Sequence, residues 1–307
     1  MSGSDPYHDC TSVSPECPVE ATIYGYAPNL GANVFFCATF GLFLAANVLL
    51  PFKYKTWTYG SIIAVGALAE VIGYAGRVIM HGNAWSNAGF EMQICCLILA
   101  PSFFAAALYL TLKDMVRAIG PQYSPIKPKL YPWIFISCDI LSLVLQAAGG
   151  ATAASANTTK VSADGGHIML AGIVFQVATF TFLYILLFLF IRNLRGNKHS
   201  QTVEQSAIMH DPKFKTFAWG MFIASVAIYL RCIYRIAELA GGWKNKIMQD
   251  EISFYVLDGA MVLIAVAAQT VAYPGVWFKP IVEELPLREK RLESESDGSG
   301  VVGGTQV

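Results

Sequence analysis

Charge is scarce in this chain of 307 residues. Asp, Glu, Lys and Arg make up 14% of it, where a soluble domain carries about a quarter. The 21 basic and 21 acidic residues cancel, which removes the positive excess that nucleic-acid binding draws on; no nucleic-acid partner is expected. Histidine is rarer still. Of five, His81 and His167 fall at the ends of apolar stretches and His8, His199 and His210 outside them, so no ligand set converges on a zinc ion. There is no G-x-x-x-x-G-K-[ST] segment, and hence no phosphate-cradling loop for ATP hydrolysis. No lysine lies inside an apolar stretch, Lys279 at the end of the seventh being the nearest, which sets aside a retinal Schiff base. The opening Met1-Ser-Gly-Ser-Asp-Pro-Tyr-His8 lacks the basic and apolar regions of a cleaved signal peptide. The first apolar stretch is therefore expected to act as an uncleaved signal and the chain to be used whole. Neither an enzyme, a metal nor a cofactor is expected.

What the chain has in abundance is apolar sequence, 55% of its residues. It is gathered in seven stretches, near 30–50, 57–80, 92–112, 131–153, 167–191, 216–240 and 254–278. Each reaches the ~20 residues with which a helix crosses a ~30 Å hydrocarbon core, and only helices or closed barrels satisfy the backbone there. The expected fold is an all-α, seven-transmembrane helix bundle over residues 30–280, between an extracytoplasmic segment 1–29 and a cytoplasmic tail 281–307. Residues 292–307, rich in Glu, Ser, Gly and Asp, cannot bury a core and read as largely disordered.

Orientation follows from lysine and arginine, which accumulate in cytoplasmic loops. Loops 51–56, 113–130 and 192–215 and the proximal tail hold fifteen of them, against three in the opposite connections, Lys160, Lys244 and Lys246. The amino terminus is thus expected outside and the carboxyl terminus in the cytoplasm. Asn157-Thr158-Thr159 is a glycosylation sequon in a connection placed outside by this count. Cys10 and Cys17 fall in the outer segment, where an oxidising compartment permits a disulfide, whereas Cys37, Cys95, Cys96, Cys138 and Cys232 lie within spans. Loop 192–215 reads as a surface attracted to anionic headgroups, with a cytoplasmic partner as the lesser reading.

Ionisable residues inside the spans carry the functional signal. Gly66, Glu70, Gly73 and Arg77 step by four, three and four along the second span, so they share one helix face. Asp139, Ser142 and Gln146 repeat the pattern in the fourth, Arg231, Arg235 and Glu238 in the sixth, and Glu251, Tyr255 and Asp258 in the seventh. A charge at a helix centre costs about 2.5–3.5 kcal/mol on insertion scales, so such groups must be paired or wetted. Three arginines are expected to face four acids, Glu70, Asp139, Glu238 and Asp258. Two readings compete: ion pairs that lock helices together, and a polar cavity open to the outside, with one carboxylate left for a cation or a proton. Gln93 and Gln146 suit interhelical hydrogen bonds as well as ligands, and Pro101 is expected to kink the third span.

The blocks Glu70-Val-Ile-Gly-Tyr-Ala-Gly-Arg77, Gln93 with Ala100-Pro101 and Ala107-Leu-Tyr109, Asp139-Ile-Leu-Ser142 with Gln146-Ala-Ala-Gly-Gly150, Gly172 with Gln176, Arg231-Cys-Ile-Tyr-Arg235 with Glu238, and Glu251 with Tyr255 and Asp258 resemble the fungal lipid-translocating exporter family. This is the RTA-like, seven-span group named for aminocholesterol resistance, and it includes the sphingoid long-chain base exporter. The resemblance spans about residues 25–280. It implies a fungal multi-pass protein, expected in the plasma membrane, that moves amphipathic lipids such as sphingoid bases or related toxic compounds. In that case Glu70, Glu238 or Asp258 would pair with an ammonium headgroup, while Arg77, Arg231 and Arg235 hold the acids ionised. A seven-span receptor or lipid-stress sensor, signalling through the cytoplasmic loops, is the alternative from another class.

Overall fold

In a computed structural model, the structure describes residues 10–154, 156, 158–197, 202–242 and 245–278. Asn157 of the sequon, His8, His199, Trp243, Lys244 and the tail 281–307 lie outside these residues.

Among the described residues, seven helices are long and apolar enough to cross a membrane. They are α1 (Leu30–Tyr54), α2 (Trp57–Gly82), α3 (Asn87–Ile119), α4 (Leu130–Ala154), α5 (Thr159–Gly196), α7 (Pro212–Ala240) and α8 (Glu251–Trp277); a short α6 (Val203–His210) precedes α7. The boundaries are set by caps. The side chains of Asn29, Ser86, Thr158 and Asp211 accept backbone N–H groups at the starts of α1, α3, α5 and α7, and Pro212 stands at the first position of α7, where its missing N–H is harmless. Lys55 in the left-handed conformation ends α1, and Gly120 at φ +150° followed by Pro121 ends α3.

The most extensive helix contacts are between chain neighbours: α1 with α2, α2 with α3, α4 with α5, and α7 with α8. Short connections between antiparallel helices dictate this arrangement. Between α4 and α5 it depends on Gly149 and Gly165, since a Cβ on either would come within 2.7 Å of the other's carbonyl oxygen; small residues let membrane helices approach this closely. Between α1 and α2 the space is filled by stacked rings, Tyr74 lying 4.9 Å from Phe36 and 5.7 Å from Phe40.

Polarity is arranged opposite to that of a soluble protein. Leu42, Phe188, Trp219 and Val271, on the outer surface, are 63–72% exposed. Glu70, Arg77, Gln93, Asp139, Gln146, Gln176, Arg231, Glu238, Asp258 and Gln269 are buried between the helices. With lipid as the solvent, the apolar side belongs outside and polar groups must satisfy each other within.

Departures from regular geometry in α3 and α8 serve the interior. Helix α3 runs unbroken through Pro101, whose ring supplies no N–H to the carbonyl four residues back. That carbonyl, of Leu97, instead accepts Nη2 of Arg231 at 2.5 Å. Helix α8 turns π-helical over Phe254–Ala260, a geometry that recurs at functional sites. The π turn carries Asp258, and beside it Gly259 brings α8 against α2 so closely that an added Cβ would meet the Tyr74 hydroxyl at 2.6 Å.

Candidate functional site

The end of the bundle that carries the amino-terminal segment is closed by that segment. Cys10 and Cys17 are joined by a disulfide. Asn83 Nδ2 donates to the Thr11 carbonyl at 2.8 Å, Trp85 Nε1 donates to the Cys17 carbonyl at 3.1 Å, and His81 Nδ1 sits 2.8 Å from the Pro28 carbonyl. These contacts pin the segment to the α2–α3 turn, and the Tyr24-Gly25-Tyr26 stretch, with Gly25 at φ +71°, dips into the helix ends.

Beneath it, about five residues or ~8 Å from the end of α2, lies Arg77, fully buried. Its guanidinium donates through Nε to Asn33 Oδ1 at 2.9 Å and through Nη2 to the Tyr26 hydroxyl at 3.2 Å and Glu251 Oε1 at 3.5 Å. The rings of Phe254, Tyr255, Tyr24 and Tyr26 surround it, their centroids 4.2, 5.5, 5.7 and 5.9 Å away, so cation–π attraction adds to the hydrogen bonds. Tyr255 donates to Glu251 Oε1 at 2.7 Å and accepts from Asn33 Nδ2 at 2.7 Å. Tyr24 accepts from Gln93 at 2.7 Å. Burial raises the pKa of both Tyr24 and Tyr26, with the Arg77 charge opposing, so both phenols stay neutral over the arginine.

A second layer lies deeper, between α7 and α8. Arg231 Nε stands 3.0 Å from Asp258 Oδ1, close enough for charge pairing though not aligned as a hydrogen bond. Arg235 Nε is 3.8 Å from the same oxygen, and its Nη1 is 2.5 Å from Glu238 Oε2. Asn245 holds the Glu238 carbonyl. One acid is therefore shared by two arginines, one of which carries a second acid, and the four charges balance. Ion pairs removed from water are retained only with added hydrogen bonds of this kind; the Leu97 carbonyl freed by Pro101 provides one.

The two remaining acids differ. Glu70, one turn below Tyr74 on α2, is 1% exposed, and its Oε1 has no hydrogen-bond partner. No ion pair reaches it among the described residues. Asp139, 3% exposed on α4, has no aligned hydrogen-bond partner on either oxygen, and the Tyr109 hydroxyl stands close enough to interact with it. A buried carboxyl group left this way either keeps its proton or is matched by a cation.

The residues singled out from sequence are thus distributed over five places, with Asp139 by itself on α4. Arg231, Arg235, Glu238 and Asp258 form one network, and Arg77 and Tyr255 another. Glu70 lies alone near the first. Gln146 belongs to a neutral chain, donating to Ser142 Oγ at 2.9 Å and to Gln176 Oε1 at 3.4 Å, while Gln176 donates to Ser102 Oγ at 3.3 Å and Ser142 to the Gly172 carbonyl at 2.6 Å. Two expectations are corrected. Arg77 pairs with Glu251, not with Glu70, Asp139, Glu238 or Asp258, because helix α2 carries it past the acids to the bundle end. Two of the four acids, Glu70 and Asp139, rather than one, stand without an ion pair among the described residues. Asn33, Tyr24, Tyr26 and Phe254 were not anticipated. An asparagine inside an otherwise apolar span was the signal for Asn33; Tyr24 and Tyr26 carried none beyond standing just ahead of α1.

Among the described residues no group of three or more His, Cys, Asp or Glu could hold a metal ion. The arrangement can accept a cation at Glu70 or exchange partners around Asp258.

Seven helices with an apolar exterior and an interior of paired and unpaired charges define a polytopic integral membrane protein. The chain belongs to the RTA1-like family, described as "RTA1 like protein", whose model matches residues 63–281. It is similar to the sphingoid long-chain base transporter RSB1 of Saccharomyces cerevisiae strain S288c, 29% identical over 300 residues that cover 89% of this chain and 78% of that one. It is also similar to Protein RTA1 of the same yeast, at 25% over 287 residues, 85% and 88% of the two chains. The probable lipid transporter atnI of Emericella nidulans is 25% identical over 260 residues, 82% and 67% of the two chains. No solved structure matches the chain.

Proposed function

We propose that the protein is a lipid transporter that moves single-chain cationic amphipaths of the sphingoid-base type across the plasma membrane, by a flippase-type path, with its amino terminus outside. The observation that carries this reading is Glu70, a buried carboxyl group with no ion-pair partner among the described residues, beside a layer whose other charges cancel. An ammonium headgroup supplies the missing charge, and the acyl chain remains in lipid against the apolar exterior. Asp258, on a π turn and shared by two arginines, is the group placed to change partners when the headgroup arrives. On this reading the segment 10–29, which lies over Arg77, is the cover of the outward-opening cavity. The names of the yeast and Emericella relatives agree with a lipid substrate.

The test is transbilayer movement of a fluorescent sphingoid base in liposomes holding the purified protein, for wild type, Glu70→Gln and Asp258→Asn. Movement in the wild type and its loss in both variants, with unchanged reconstitution, is the expected result. Normal movement in both variants would remove the headgroup role. No movement in a folded wild type would favour a seven-span receptor or sensor, to be followed by ligand-dependent capture of a cytoplasmic partner.

A further inference from the structure

At the end of the bundle opposite the amino-terminal segment, α3 and α4 touch far less than α2 and α3 do, and a groove of ≈ 530 Å³ lies between them. Lys113 and Arg117, one turn apart near the end of α3, and Lys129, just ahead of α4, surround its mouth. Trp133, Ile136 and Ile140 line its α4 wall at spacings of three and four, a stripe that runs from the helix end toward the middle of the span. Lys113 Nζ is 3.3 Å from Asp114 Oδ1, so three cations and one acid leave a net charge of +2 at the mouth. Trp133 is 75% exposed and Ile140 56%, in the position where lipid meets the protein.

We infer that this groove binds a phospholipid whose headgroup carries a phosphomonoester, of the phosphatidic-acid class, with an acyl chain along Trp133, Ile136 and Ile140. Charge selects the headgroup: a phosphomonoester carries about −1.5 to −2 at neutral pH, which matches the mouth, whereas a zwitterionic headgroup brings no net charge. Basic pockets between spans are the known form of anionic-lipid sites, and tryptophan belongs at that depth. A free phosphate would use the cations and leave the apolar wall uncovered, so the occupant is a lipid. The groove shares no residue with the Arg231–Asp258 layer, and its ligand is independent of what is transported.

The experiment is quenching of tryptophan fluorescence in the full-length protein, in phosphatidylcholine vesicles containing a small fraction of brominated phosphatidic acid or, as control, brominated phosphatidylcholine. Phosphatidic acid should quench more, and the excess should vanish in Trp133→Phe. The triple variant Lys113→Gln/Arg117→Gln/Lys129→Gln should raise the fraction needed for half-quenching roughly a hundred-fold, about a factor of five per cation. Lys113→Arg/Lys129→Arg should behave as wild type. If the triple variant fails to fold, Lys129→Gln alone, in the exposed connection, decides with its roughly five-fold shift. Equal quenching by the two lipids, an excess that survives removal of the cations, or displacement of the lipid by equimolar inorganic phosphate would each overturn the assignment.

Discussion

The two sides of the bundle handle buried polarity in different ways. Where α1, α2, α7 and α8 meet, every arginine is answered: Arg77 by Glu251, Asn33 and four aromatic rings, Arg231 by Asp258 and the Leu97 carbonyl, Arg235 by Asp258 and Glu238. Where α3, α4 and α5 meet, the connections are neutral, running from Ser102 through Gln176 and Gln146 to Ser142, and the buried acid Asp139 stands apart from them. Neutral amides can be replaced at small cost, because each interhelical hydrogen bond in a membrane contributes only about 0.6 kcal/mol on average. Charges cannot, since deleting one partner strands the other in a medium that does not solvate it. The charged side is therefore where a single substitution has the greatest leverage, and where a ligand of the right charge can exert the same leverage reversibly.

The largest effect should follow Arg231→Met. It leaves Asp258 with the more distant Arg235 alone and returns the Leu97 carbonyl to an orphan, so a loss of about 3–5 kcal/mol is expected. Thermal unfolding in detergent micelles measures it. The double variant Arg231→Met/Asp258→Leu should recover much of that loss, because both charges then leave together. An Arg231→Met protein as stable as wild type would break the contrast between the two sides. Next in size is Arg77→Lys. A lysine keeps the charge but cannot place one donor on Asn33 and another between Tyr26 and Glu251 in the same plane, and a loss of roughly 2 kcal/mol is expected from hydrogen bonds to a charged group. Limited proteolysis of the segment 10–29 sharpens this: cleavage should accelerate in Arg77→Lys and not in Gln146→Ala.

The seven helices were legible in the sequence because a membrane reduces folding to two readable requirements, length and apolarity, and each of the seven stretches meets both. The stripes were legible for a similar reason: at 3.6 residues per turn, Glu70 with Arg77 and Arg231 with Arg235 and Glu238 must share faces, and these faces do turn inward. Pairing was not legible. It depends on the relative heights of helices and on which helices are neighbours, and helical period specifies neither. Arg77 sits near the bundle end, level with Glu251 at the start of α8, while Glu70 lies seven residues or ~10 Å further down. The link from Pro101 to Arg231 was hidden for another reason. Proline advertises a missing N–H, but nothing local tells which distant side chain will take the freed carbonyl. Tyr24 and Tyr26 precede the first span in a segment without helical period, so only the fold brings them over Arg77.

Smaller effects test the neutral side. Gln146→Ala removes donors to Ser142 and Gln176, and about 1 kcal/mol of stability should go with them, with helix content unchanged. Asp139→Asn should have the smallest effect of all, below about 1 kcal/mol in the same unfolding assay, because no ion pair or hydrogen bond to the carboxylate is given up and an uncharged amide is easier to keep between helices. The side chain is nearly isosteric, so its place beside Tyr109 is preserved. If Asp139→Asn instead destabilised the protein as much as Arg231→Met, Asp139 would have a cationic partner in solution and the two sides of the bundle would be alike. If stability held but sphingoid-base movement in liposomes failed, the carboxyl group would be doing chemistry that Asn cannot, and the path for the headgroup or its proton would extend across the bundle from Glu70 to α4.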